Sequence, residues 1–177
     1  MCFPNIFGLI FLAPVVKNEL NNFINGVDQY GQNNIYGPRI MYMNEKNKIW
    51  YSGGKVDLKK GIIRHLNIRK DYNNLNLVDS KTDYITGCCL FAHTDTLRKL
   101  NGFDDSFNMY MEDVDFCLRA KHLNIDSYFL ASPIVFHHIS GSVKRKILKI
   151  IFSYIKLSIK HTGILSIFNI PVFVLRK

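Results

Sequence analysis

The segment that most narrows what this chain can fold into runs Asn101-Gly102-Phe103-Asp104-Asp105 and then Tyr110-Met111-Glu112-Asp113-Val114-Asp115-Phe116-Cys117-Leu118-Arg119-Ala120. It sets a glycine turn and four carboxylates directly ahead of a helix-forming stretch. Val114, Cys117, Leu118 and His122 recur at helical spacing, so a helix beginning near Glu112 buries that stripe and turns Asp113 elsewhere. Asp115 and Arg119 stand at i,i+4, the spacing of an intrahelical ion pair. A carboxylate at a helix start, beside a loop, is placed to take a proton from a hydroxyl. The same acids also offset the positive end of the helix dipole with no chemistry attached. Residue types alone leave both readings open.

Around this segment the pattern alternates. Leu20, Phe23, Ile24 and Val27 predict a helix face, and Ile35 to Met43 a strand with Pro38 near its start. Asn44 to Asn47 reads as a turn. Ile49-Trp50-Tyr51-Ser52-Gly53-Gly54 and the residues to about Ile68 read as short strands and loops, the paired glycines marking a tight turn or a close backbone approach. Asn67 to Lys81 is polar and predicts a loop. Tyr84 to Ala92 predicts an apolar strand, followed by a short helix capped by Thr94. The apolar N-terminus, Met1 to Val16, has no Lys or Arg ahead of it, so it reads as a buried strand and not as a secretion signal. Cysteines at 2, 88, 89 and 117 have neither metal-site spacing nor a disulfide framework, which fits a reduced, cytoplasmic setting.

A chain of 177 residues with 47% hydrophobic content can bury one substantial core. The net charge of +9 is unevenly placed. Residues 1–142 carry fifteen Lys and Arg against all fourteen acids, whereas residues 143–177 carry eight basic residues and no acid. A near-neutral body argues against a basic groove for nucleic acid, so none is expected as a partner. In the tail, Arg145, Lys149, Ser153, Lys156 and Lys160 recur at three- and four-residue steps within an otherwise Ile, Leu, Phe and Tyr surface. Such a helix suits the headgroup layer of an anionic membrane, or a packed helix with a solvated basic face. The run Ile164 to Leu175, broken by Asn169 and Pro171, is too short to span a bilayer. The expectation is peripheral attachment at the inner face of the cell membrane.

Further phrases share an order: Gly37-Pro38, Ile49-Trp50 with Gly53-Gly54, Asp83-Tyr84-Ile85-Thr86-Gly87, the Glu112-Asp113 segment, and Pro133-Ile134-Val135-Phe136-His137-His138-Ile139-Ser140-Gly141-Ser142. In this order and spacing, over roughly residues 10–142, the chain resembles the acceptor-side half of GT-A glycosyltransferases of family 2, in particular the bacterial and archaeal rhamnosyltransferase-like members. The resemblance implies an α/β fold, a partial GT-A domain with a mixed sheet over residues 1–142, followed by the basic amphipathic tail of residues 143–177. It also implies inverting transfer of a sugar from a nucleotide-sugar donor to a glycan or lipid-linked acceptor, as in cell-surface polysaccharide synthesis. Asp113 maps onto the general base and Glu112 onto its acceptor-orienting neighbour. Asp83, Gly87, Trp50 and Asp115 map onto the substrate-binding set, and His137 onto the metal or diphosphate side. A divalent cation, Mg²⁺ or Mn²⁺, accompanies the family's reaction. Read as residues alone, Trp50 is equally a buried core tryptophan, Asp83 a strand-entry acid, Gly87 a packing glycine and His137 a hydrogen-bonded structural histidine.

The departures carry weight too. The nucleotide-binding strands of the family precede the point where this sequence begins, so it reads as a truncated member. Where relatives carry a metal-binding Asp, this chain has Ala13-Pro14-Val15-Val16, none with a side-chain oxygen for a hard cation. The alternative to a catalytic fragment is a non-catalytic, membrane-associated remnant that binds a glycan or a partner enzyme.

Overall fold

The computed structural model describes residues 6–107, 110–138 and 147–163, with side chains from residue 16 onward. The basic triplet 144–146, the Ser140 to Ser142 end of the histidine motif and the apolar run 164–175 lie outside the described residues.

The frame is a parallel pair of long strands, β1 (Ile35–Tyr42) and β7 (Ser127–His137). On one side β1 also pairs antiparallel with β2 (Ile49–Tyr51) and β6 (Phe91–Ala92); on the other side of the pair, β7 pairs antiparallel with β5 (Ser80–Thr82). The result is a curled five-stranded mixed sheet with helices, an α/β architecture. A separate hairpin joins β3 (Gly54–Asp57) to β4 (Ile62–His65). Two prolines sit where these central strands meet, Pro38 and Pro133. Neither has an N–H for the ladder, and the register slips between Pro38 and Arg39, leaving Ala131 to Pro133 as a bulge on β7. The N–H groups freed there are not left bare. Ala131 N–H donates to Asp79 at 2.8 Å and Ile134 N–H to Glu19 at 2.7 Å, so side chains replace the broken ladder.

The N-terminal expectation is overturned. Residues Ile6–Tyr30 form one helix, α1, where a buried strand over the first sixteen residues was expected. A short continuous apolar run does not distinguish the two by periodicity, and here it continues directly into the helical pattern of residues 20–27. Of that pattern, Phe23 and Val27 pack inward against Tyr36 and Leu130, while Leu20 and Ile24 face solvent. Gly26 allows the approach, because a Cβ there would lie 2.5 Å from the Leu130 side chain.

The expected strand from Tyr84 to Ala92 also dissolves. Only Phe91–Ala92 is in a strand; Tyr84 makes a single bridge to Gly54, and Thr86 to Cys89 turn. Tyr84 and Ile85 are buried in the main core, so their apolarity reports burial from an irregular segment and not sheet pairing. Part of the expected polar loop, conversely, is β5. The helix α2 (Thr94–Lys99) is capped by His93, whose ring accepts the Asp95 N–H, so Thr94 is its first residue and not its cap.

The helix α3 (Glu112–His122) begins where the spacing predicts. Val114 and Cys117 are buried as expected, joined by Phe116 and Ala120, while His122 is exposed. The tail helix α4 (Ile147–Thr162) places Tyr154 and Leu157 in the same core.

Gly54 tests how tightly the sheet closes over this core. A Cβ there would stand 2.1 Å from the Tyr84 ring, whose neighbours Tyr51 and His65 pack around it. Gly54→Ala is expected to lower stability by about 1–3 kcal/mol in denaturant melts.

Candidate active-site cleft

Two consecutive non-glycine residues, Tyr110 (φ 70°) and Met111 (φ 69°), hold left-handed backbone immediately before α3. Each such conformation costs about 1 kcal/mol or more, and strain of this kind collects at functional sites. No side chain caps the helix; the sharp entry instead presents Glu112 and Asp113, its first two residues, to a cleft. Facing them is the Thr86 to Cys89 turn. It is closed by Cys89 N–H to the Thr86 carbonyl at 3.3 Å, and Ile85 N–H ties it to the buried Cys117 sulfur on α3, also at 3.3 Å.

Across this junction the Gly87 N–H donates to Asp113 Oδ2 at 2.8 Å, and Asp113 Oδ1 accepts the Val114 N–H at 2.8 Å. One N–H on each oxygen fixes the carboxylate plane and leaves further lone pairs toward the cleft. A Cβ on Gly87 would lie 3.6 Å from the Asp113 Cβ, an ordinary contact. What this position supplies is therefore its N–H and not the absence of a side chain.

The cleft encloses about 470 Å³, walled by Trp50, His65, Gly87, Glu112, Asp113 and His137 among others. Five of the seven residues singled out from the sequence thus come together. Trp50 lies between two imidazoles, edge-on to His65 and tilted against His137, each with ring centroids 4.6 Å away. His137 Nδ1 lies 3.4 Å from the Cys88 sulfur, and His65 Nδ1 lies 3.2 Å from the Trp50 carbonyl. Burial holds the His65 imidazole below the usual histidine range, which favours its neutral form. Glu112 differs from its neighbour. Its Oε2 is buried without a hydrogen-bond partner, and burial together with the Asp113 charge raises its pKa above the ordinary glutamate value. The cleft wall thus holds adjacent carboxylates in unlike settings, one anchored by two N–H donors and the other with a buried oxygen that has no donor.

Asp83 and Asp115 stand outside this cleft. Asp83 accepts the Val56 N–H at 3.0 Å and pairs with Lys55 at 2.9 Å, lining a separate cavity of about 330 Å³. Burial alone would raise its pKa; Val56 N–H and Lys55 outweigh that and hold it low. Asp115 is fully buried on the opposite side of α3. It accepts from Arg119 Nε, Lys160 Nζ and His161 Nε2, each at 2.8 Å. The guanidinium of Arg119 also reaches the Leu100 carbonyl and, at 2.7 Å, that of Gly102. Asp115 is accordingly the junction of α3, the glycine turn and α4. The i,i+4 pair with Arg119 was legible; its capture of two residues from α4 was not.

His65 and Cys88 were missed. The only signal for His65 lay in two-residue alternation along β4, which places it on the same face as the core residue Ile63. Among the described residues no three His, Cys, Asp or Glu side chains converge as a metal-binding set. No protein-family model and no curated protein matches the chain.

Two stability measurements separate the roles of the acids. Burial would raise the Asp115 pKa, but His161, Lys160 and Arg119 pull it from 3.8 to about 2. A depressed carboxyl contributes stability that is complete above pH 3.8 and is lost as pH falls toward about 2. Asp115→Asn is expected to flatten that acid limb in denaturant melts and to cost about 3 kcal/mol at neutral pH, by leaving the cations of α3 and α4 without their acceptor. Glu112→Gln should do the reverse, raising neutral-pH stability by about 1 kcal/mol because it removes an incompletely solvated charge.

Proposed function

We propose that the chain carries the acceptor side of an inverting glycosyltransferase, with Asp113 as the general base. Supporting this reading is one observation above the others: Asp113 is clamped by the Gly87 N–H at 2.8 Å in the cleft that also holds Trp50, His137 and the unpartnered oxygen of Glu112. The ordered motifs shared with family 2 glycosyltransferases bear on the same residues. In the proposed step an acceptor hydroxyl attacks the anomeric carbon of a nucleotide-sugar donor. The new C–O bond forms as the bond to the diphosphate breaks, and the hydroxyl proton passes to Asp113. The nucleoside diphosphate leaves with the bonding electron pair, and the anomeric configuration inverts. Glu112 lines the same cleft with its Oε2 buried and unpartnered, and Trp50 offers an apolar ring face in that wall. A divalent cation of the Mg²⁺ or Mn²⁺ type would offset charge on the departing diphosphate.

The alternative, a glycan-binding remnant without turnover, differs in one measurement. Transfer from a panel of nucleotide sugars to glycan and lipid-linked acceptors is followed by mass spectrometry, with acceptor binding measured in parallel. On the catalytic reading Asp113→Asn lowers transfer by about 10³-fold or more while donor and acceptor binding stay close to the parent. Wild-type-like transfer by Asp113→Asn removes this residue from the base role. Acceptor binding with no transfer by the parent supports the remnant.

A further inference from the structure

The helix α4 buries a mixed side and leaves an apolar row facing solvent. A helix on a folded body ordinarily turns its apolar stripe inward and its polar stripe to water. Here Ser153, Tyr154, Leu157 and Ser158 are the buried positions, and His161 and Lys160 reach the Asp115 carboxylate. Lys160 also pairs with Asp104 at 2.7 Å, and Lys156 lies over the Phe107 ring. Left facing outward are Leu148 and Phe152, each 68% exposed, and Ile159 at 42%, with the partly exposed Ile155 between them in the same row. Steps of four, three and four residues put these side chains on one line along the helix. The helix cannot roll to hide them without withdrawing Lys160 and His161 from a fully buried carboxylate.

We propose that this stripe docks α4 onto an anionic phospholipid bilayer. The occupant follows from charge. Lys149 is exposed beside the apolar line, Lys156 and Lys160 follow on the same flank while engaged with Phe107 and with Asp104 and Asp115, and the sequence from residue 143 to 177 has eight basic residues and not one acid. Apolar side chains entering the acyl boundary and basic side chains at headgroup height are the two attractions that hold an interfacial helix. Among the described residues no helix is long and apolar enough to cross a membrane. The inner side of the same helix contributes Ile150 to the wall of the cleft that holds Asp113. Docking through the outer side therefore holds the cleft near the bilayer surface, where an acceptor hydroxyl on a lipid-linked glycan would be presented. That last point rests on the glycosyl-transfer reading; the docking itself does not.

The test is co-sedimentation of the full chain with phosphatidylcholine vesicles, with and without phosphatidylglycerol, for the parent and for Leu148→Ser/Phe152→Ser. The expected result is binding to the phosphatidylglycerol vesicles that falls with added salt and drops about tenfold or more in the double variant, whose melting temperature stays at the parent's. Equal sedimentation of parent and variant overturns the proposal. So does a parent dimer that the variant converts to monomer without vesicle binding by either, since a second copy then covers the stripe. A lower melting temperature for the variant with no vesicle binding by the parent also overturns it, because the chain then covers the stripe itself. None of these readouts needs a donor or turnover, so loss of the glycosyl-transfer reading and loss of membrane docking show separately.

Discussion

One enclosed carboxylate organises much of this molecule. Asp115 is out of reach of water, and an anion in that setting is tolerated only when its hydrogen-bonding capacity is filled. Arg119, Lys160 and His161 fill it. Because these three come from α3 and α4, and because Arg119 continues to the carbonyls of Leu100 and Gly102, satisfying one charge joins two helices and the glycine turn. The consequence is felt on both faces of α3. Toward the cleft, a helix held at that junction presents Asp113 to the Gly87 N–H. Away from it, α4 is locked with its apolar row outward.

A second constraint comes from two prolines in the central pair of strands. Pro38 and Pro133 supply no N–H to the ladder, so β1 and β7 change register beside them and the freed amides are taken by Asp79 and Glu19. Glu19 belongs to α1, and Asp79 precedes β5. The interrupted ladder is thus sealed by side chains from α1 and from the residues just before β5, and beyond the interruption β7 runs on to place His137 in the cleft.

How far the site was legible depends on the range of the interactions involved. Helix α3, its start at Glu112 and the Asp115–Arg119 pair were readable because they are set within four residues. The hairpin turn at Asn44 to Asn47 and the tight glycines were readable for the same reason. That Asp83 and Gly87 line different cavities was not legible, because they lie only four residues apart in sequence and the Thr86 turn separates them. The N-terminal run was misread because apolar residues without interruption satisfy a strand and a helix alike. His65 was overlooked because nothing local distinguishes it; it matters only because β4 folds back beside Trp50.

What the sequence by itself determined is a few local elements and chemical groups: the α3 helix with its leading acids, the long strand from Ile35, and a tail of basic and apolar residues. These follow from side-chain spacing and backbone preference over a few residues. What only the tertiary structure decided is orientation. It separated Asp113 from Asp115, two residues apart on one helix, into a cleft carboxylate and a buried anchor, since positions two apart on a helix point to different sides. It also set which side of α4 meets solvent, because the amphipathic pattern defines two sides and leaves their order to the strongest partner available. The buried anion draws Lys160 and His161 inward beside the core residues Tyr154 and Leu157, which leaves Leu148, Phe152 and Ile159 outside.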